Sequence, residues 1–470
     1  MKRLGAALAA GAAAALAISG CGAGTAAGRA TLRVPERGAL AKVRGEVDIS
    51  FWHSMDGVDA AALNTLIDRF NRQHAGKVKV EPEYVGGYTD AMGEFRGAVE
   101  ARSTPNVMQA YDIGTRYMID SKQVVPVQGF LDRDHYPTGD LQPAAAGYYS
   151  VGGKLYSMPF NASTPVLYYN KTIFQRAGLD PNQPPRTLDE VRADAQKIVA
   201  SHAAPTGLQA AASGWYLEQW IATAGATLCD RDNGRTGTAT EVRLDQPAAV
   251  AALDWWAGMV RDRLAAAGGA EDPDSDEESD EAREATVAAF TTQRTGMVLE
   301  SSGQLTELSR AAQADGYDLG VGGFPRQGGA GGGGPVVGGA SLWIDSAGKK
   351  PAEVEASWQF VKYLASAESQ AYWYTHTGYL PVNTKALDRP AGAAWRQQNP
   401  GFQVAADQLA STPVTPTTRG CLAGVMPQVR GRAEDAIDKA LTGRADPTSA
   451  LADATKAVKP LIKNYNQTAR

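Results

Sequence analysis

The chain has 470 residues, 51 acidic against 46 basic side chains, a formal net charge of −5 and three cysteines. This mild acidity, with no cluster of Lys and Arg, excludes nucleic acid as the partner. The length exceeds the roughly 250 to 300 residues at which single cores stop growing, so two lobes are expected.

At the N-terminus, Lys2 and Arg3 precede a small-residue apolar stretch from Leu4 to Ile18, which ends in Ile18-Ser19-Gly20-Cys21. A charged start, an apolar middle and small residues before the cut define an export signal. Cys21 directly after Ile-Ser-Gly resembles the lipoprotein signal, in which the thiol is lipidated and becomes the mature N-terminus; an ordinary signal peptide with a chance Cys is the alternative. Lipid chains on one Cys anchor a protein firmly, because each buried methylene contributes roughly 0.8 kcal/mol. Residues 1–21 are therefore read as signal peptide and residues 22–46 as a tether of small, polar and basic residues. No later stretch reaches the roughly 18 consecutive apolar residues that a spanning helix requires. The expected location is the outer face of the cytoplasmic membrane, with the body held there through Cys21.

Val47 to Trp52 alternates like a strand entering a sheet, and Leu63, Leu66, Ile67 and Phe70 then fall on one helical face. Val78 to Val85 reads as a second strand and Asn106 to Tyr111 as a third. Strands alternating with helices predict an α/β fold with a mainly parallel sheet. The rhythm restarts near Lys154 to Asn170, where Pro165 to Tyr169 reads as a crossover strand, and a helix follows over Leu188 to Ala200. Glu271 to Glu284 is an acidic run read as a solvated loop, since it lacks the glycine and terminal glutamate of a calcium loop. Gly328 to Gly334 contains a formal G-x-G-x-x-G at Gly329, Gly331 and Gly334. Pro335 and a strand-like Val336-Val337 follow instead of a helix, so the match is chance. The C-terminal part, including Ala433 to Leu441 and Ser449 to Tyr465, reads as helical.

Cys229 and Cys421 are an even pair in an exported chain and hence a disulfide candidate; two independent buried thiols are the alternative. The five histidines show no metal-ligand spacing. There is also no C-x-x-C, no nucleophile elbow and no phosphate loop. The expectation is a protein without catalytic residues, metal or cofactor, although paired carboxylates would leave no such signature.

Five phrases occur in order: Phe51-Trp52-His53-Ser54-Met55, Pro159-Phe160-Asn161-Ala162-Ser163-Thr164-Pro165-Val166-Leu167-Tyr168-Tyr169-Asn170, Gly338-Gly339-Ala340-Ser341-Leu342-Trp343, Thr377-Gly378-Tyr379-Leu380-Pro381 and Met426-Pro427-Gln428-Val429-Arg430. Together they resemble the family 1 extracellular solute-binding proteins of ABC importers, and among these the glycerol 3-phosphate and glycerophosphodiester binders. The resemblance runs from about Val47 to the C-terminus. It implies a two-lobed periplasmic-binding-protein-like fold of type II topology, with hinge crossovers and closure on the ligand. Residues 47–162 and 340–377 would form the first lobe, and residues 165–337 and 382–470 the second. It also implies a monomer that passes a small-molecule glycerol phosphate ester to ABC permease subunits in the membrane.

The resemblance assigns the ligand-binding residues. Arg430 matches the phosphate-binding arginine, whose planar fork holds two phosphate oxygens. Ser163, Ser301, the Gly339 N–H and the Tyr379 hydroxyl match neutral donors, and at Gly339 the missing side chain lets a ligand approach the main chain. Tyr88 and Asp112 match the glycerol end, where a carboxylate accepts from two adjacent hydroxyls. The family pattern has Glu where this chain has Asp112, and more tryptophan near Ala212 to Gly225, where Trp215 remains as a wall residue. Both departures enlarge the pocket and favour glycerophosphocholine alongside glycerol 3-phosphate. A neutral oligosaccharide is the alternative ligand, and an exported hydrolase of glycerophosphodiesters the alternative function.

Overall fold

The computed structural model describes residues 33–266, 278–328 and 333–469. The strands are β1 (Val47–His53), β2 (Val78–Tyr84), β3 (Val107–Tyr111), β4 (Ser150–Val151), β5 (Lys154–Leu155), β6 (Met158–Ser163), β7 (Pro165–Asn170), β8 (Thr206–Gln209), β9 (Thr295–Ser301), β10 (Leu319–Gly323), β11 (Gly338–Ile344) and β12 (Leu380–Pro381). They form a six-stranded sheet in the order β12-β6-β11-β3-β1-β2, a four-stranded sheet in the order β10-β7-β9-β8, and the small β4–β5 hairpin.

The local reasons are ordinary ones. In β1, Val47, Ile49, Phe51 and His53 are buried while Asp48 faces water, the period of two that a sheet with one covered face requires. The covering helix Gly57–Gln73 buries Leu63, Leu66, Ile67 and Phe70. Helix Leu188–Ala200 opens with a capping box between Thr187 and Glu190, which satisfies two N–H groups that no helical carbonyl can reach.

The chain passes from one sheet to the other at Thr164, the single residue between β6 and β7. The Thr164 N–H donates to the Ser302 hydroxyl at 3.2 Å, and its own hydroxyl accepts from the Gln408 amide at 2.7 Å. Residues between β10 and β11 bring the chain back. This topology corrects the expectation of a mainly parallel sheet. Among the strands of the described residues, only β1–β2, β1–β3 and β8–β9 are parallel pairs, whereas β11 runs against both β3 and β6, and β7 against both β9 and β10. The reason is the crossing itself. Strands β3 and β6 run toward the junction and β11 carries the chain away from it, so a strand inserted between them must be antiparallel to both.

Two further expectations change. The tether, expected to extend to residue 46, is docked over its described part. Ala39 is buried, Val34 and Leu40 pack on the first sheet's core, and Arg133 donates to the Pro35 carbonyl at 2.8 Å. These apolar residues, though sparse, meet a guanidinium that satisfies the main chain between them. The acidic run is in part the helix Glu278–Thr291. After Pro273 its Glu, Ala and Arg residues are good helix formers, and charge does not prevent a solvated helix. Residues 267–277 and 329–332, with the rest of the acidic run and the middle of the glycine tract, lie outside the described residues, as does Cys21. Among the described residues no helix is long and apolar enough to cross a membrane.

Candidate ligand-binding site at the junction of the two sheets

Three charged side chains meet between the sheets. Asp112 follows the last residue of β3 and opens a short 3-10 turn. Glu218 lies in helix Gly214–Thr223 and Arg430 in helix Met426–Leu441. The two helices pack closely because Gly214 has no side chain; a Cβ there would sit 2.9 Å from the Arg430 carbonyl oxygen. One turn along, Glu218 therefore reaches Arg430, accepting from Nε at 2.7 Å and from Nη2 at 3.2 Å. Asp112 takes the opposite edge, accepting from Nη2 at 3.0 Å and Nη1 at 3.4 Å. The side chains of Arg430, Asp112 and Glu218 are only 14 %, 4 % and 8 % exposed.

Burial on this scale works against every charge, and the partners decide the outcome. Burial opposes the Arg430 charge, yet the carboxylates of Asp112 and Glu218 more than offset it and hold the guanidinium well above its ordinary value. Burial outweighs Arg430 at Glu218 and raises its carboxyl. Glu434, one turn beyond Arg430, is pushed up to about 7, chiefly by burial. It accepts a hydrogen bond from the Gly214 N–H at 3.0 Å.

A second group runs along the first sheet. The Asn161 amide donates to the Tyr88 hydroxyl at 2.8 Å and accepts from Gln109 at 2.9 Å, and Gln109 in turn accepts from the Ser54 N–H at 2.9 Å. The Tyr88 ring stacks on Tyr111, with centroids 5.6 Å apart, and its hydroxyl meets that of Tyr379. Tyr379 stacks on Trp373. It also closes on Gly303 from the other sheet's side, where an added Cβ would lie 3.2 Å from the tyrosine ring.

Ser163 ends β6, and Trp215 comes from the facing helix to within the same small space. A Cβ on Gly338 would lie 2.9 Å from both the Ser163 hydroxyl oxygen and the Trp215 ring. The Ser301 oxygen accepts from the Gly303 N–H at 3.2 Å, which caps the turn and leaves its O–H free to donate. Gly339 has φ +92°, and a side chain there would collide with the Asn161 carbonyl on β6. The glycine is thus required by the neighbouring strand, whatever else approaches it.

All eight residues read from the sequence gather at this junction. Asp112 and Arg430, which the resemblance assigns to opposite ends of a ligand, are in direct contact, because opposite charges buried this deeply need each other. Sequence reasoning missed Glu218, Asn161 and Gln109. A lone acid in the apolar run Trp215-Tyr216-Leu217-Glu218-Gln219-Trp220 was a usable signal for the first. A cavity of about 590 Å³ on the outer edge of the first sheet, lined by Trp52, Glu83, Tyr84 and Asp90 among others, contains none of the eight.

Behind the charged triad, Cys229 and Cys421 are joined as a disulfide with Cα atoms 5.6 Å apart. The loops they tie carry Arg235, which donates to the Tyr148 carbonyl at 2.8 Å, and Arg419, which donates to the Gly147 carbonyl at 2.9 Å. Among the described residues no group of His, Cys, Asp and Glu is arranged to hold a metal ion.

Residues 65–404 match the model of the bacterial extracellular solute-binding proteins. The chain is 32 % identical to the sn-glycerol-3-phosphate-binding periplasmic protein UgpB of Pectobacterium atrosepticum, over 92 % of this chain and 94 % of that relative. To the UgpB protein of Escherichia coli O1:K1 it is 30 % identical, over 92 % and 96 %. Among solved structures, UgpB from Mycobacterium tuberculosis in complex with glycerophosphocholine matches with a TM-score of 0.72 and 23 % identity, over 89 % of this chain and 99 % of that one. The GacH receptor of Streptomyces glaucescens, solved unliganded and with acarbose, matches with a TM-score of 0.71 and 23 % identity over the same shares. These structures establish the two-lobed fold, and the order β2-β1-β3-β11-β6 of the larger sheet is its type II arrangement. With the family model spanning most of the chain and relatives aligned almost end to end, the chain belongs to the bacterial extracellular solute-binding proteins, the substrate-binding components of ABC importers.

Proposed function

We propose that this protein captures a glycerol phosphate ester, glycerophosphocholine or sn-glycerol 3-phosphate, between its lobes and delivers it unaltered to ABC permease subunits. The observation that carries this reading is a buried guanidinium at the lobe junction, within one small space with the Asp112 carboxylate. A phosphate stripped of water needs charge-assisted donors, and a vicinal diol needs an acceptor; both are present side by side. The names of the UgpB relatives support the same ligand class. Ser163, Ser301, the Gly339 N–H and Tyr379 supply neutral donors in this reading, Tyr88 and Asp112 face the glycerol, and Trp215 walls the substituent.

The proposed lobes are residues 47–162 with 340–377, and 165–337 with 382–470, a division supported by the membership of the two sheets. Lipidation of Cys21 would hold the protein, as a monomer, at the outer face of the cytoplasmic membrane. A neutral oligosaccharide is the second reading. It is favoured by the two carboxylates around Arg430 and by the acarbose-binding relative of like fold.

Isothermal titration with glycerophosphocholine, glycerol 3-phosphate and maltotriose separates the readings. The proposal expects the phosphate esters to bind and Arg430→Gln to abolish that binding. Heat from maltotriose alone would favour the sugar, and binding of the monoester without the diester would reject the enlarged pocket.

A further inference from the structure

We infer that Asp112 is an internal anion seated on the ligand-facing edge of Arg430, and that a phosphate ester enters by taking its place there. The inference rests on the proposed ligand class for the identity of the incoming group, but its geometry does not.

A guanidinium has five N–H groups and two edges that can hold an oxyanion in bidentate fashion. The Nε and Nη2 edge of Arg430 is held by Glu218, whose helix packs on that of Arg430 within the same lobe. The Nη1 and Nη2 edge is held by Asp112, which comes from the end of β3 in the other lobe. Four of the five N–H groups are engaged, so one Nη1 hydrogen remains. That is too few for a second oxyanion to be held by two parallel bonds.

Charge leads to the same conclusion. One guanidinium between two carboxylates sums to −1, and a phosphate placed against it while both carboxylates stay on it would crowd three anions around one cation in a site shielded from water. Of the two carboxylates, Glu218 is fixed to the arginine's own lobe. Asp112 comes from the end of β3 in the other sheet, across the junction from the arginine's helix, and is the one that can leave.

Exchange leaves every group with partners only for a particular kind of ligand. Arg430 trades a carboxylate for a phosphate, while Asp112 trades a guanidinium for two hydroxyls. A molecule carrying both a phosphate and a vicinal diol completes the exchange. Inorganic phosphate strands the aspartate, and glycerol offers the arginine nothing. Asp112 would thus enforce recognition of both ends at once, because leaving a buried charge unpaired costs more than a lost hydrogen bond.

Inorganic phosphate is the probe, since it carries no diol. In isothermal titration the wild type should bind it weakly. Asp112→Asn should bind it at least about tenfold more tightly, a difference of about 1.4 kcal/mol. Asp112→Glu, which keeps the anion, should show no such gain, and Asp112→Ser provides a second neutral variant should the amide fold poorly. Folded neutral variants that gain no affinity for phosphate overturn the inference, even if the wild type binds glycerol 3-phosphate. Conversely, a gain for phosphate in a protein whose wild type binds neither ester would support the exchange while removing the proposed ligand.

Discussion

Gly339 has a steric reason to be glycine that no ligand is needed to explain: its φ of +92° and the Asn161 carbonyl both exclude a side chain. Gly339→Ala should therefore lower stability by at least about 2 kcal/mol, seen as a lower Tm in buffer alone. Glu434 gives a pH-dependent case. Its folded pKa near 7 lies above the ordinary 4.5, so between those values the folded protein holds a proton that the unfolded chain has released. Stability falls as pH rises through that window and levels off above it. Glu434→Gln, which keeps an acceptor for the Gly214 N–H, should raise Tm at pH 8 through a stability gain of about 3 kcal/mol at most, and change little at pH 4. A thermal series over pH 4 to 8 checks both limits. At this scale the sequence was informative where a residue sat inside a recognisable phrase, as Ser163, Gly339 and Tyr379 do. The pairing of Arg430 with Asp112 joins positions 318 apart, and no local pattern encodes it.

At the scale of elements, amphipathic periods located the first three strands and the helices Gly57–Gln73, Leu188–Ala200, Met426–Leu441 and Pro447–Thr468, because burial of one face is written into consecutive residues. Strand direction was not legible. The antiparallel placement of β11 follows from where the chain re-enters the first sheet, which depends on its path through the second sheet rather than on any local pattern. The disulfide belongs here too. It closes a sequence separation of 192 residues and ties together the loops of Arg235 and Arg419, whose guanidiniums donate to the carbonyls of residues 147, 148 and 150. Reduction, or Cys229→Ser with Cys421→Ser, should cost about 2 to 4 kcal/mol of stability. Thermal unfolding with and without a phosphine reductant measures it, and an unchanged Tm would mean the loops hold themselves.

At the scale of the whole molecule, two sheets joined through Thr164 and the return to β11 set Asp112, Ser163 and Tyr379 opposite Trp215, Ser301 and Arg430. Composition and length pointed to two lobes, and ordered phrases to the family. Neither revealed that the charged groups of the two lobes would be paired with one another, since that depends on the distance between lobes. Phosphorus NMR of the purified protein with one equivalent of glycerophosphocholine reports capture and chemical fate together. The account predicts a shifted or broadened diester resonance that returns unchanged when the protein is denatured. An unperturbed resonance, or the appearance of glycerol 3-phosphate during incubation, would contradict it.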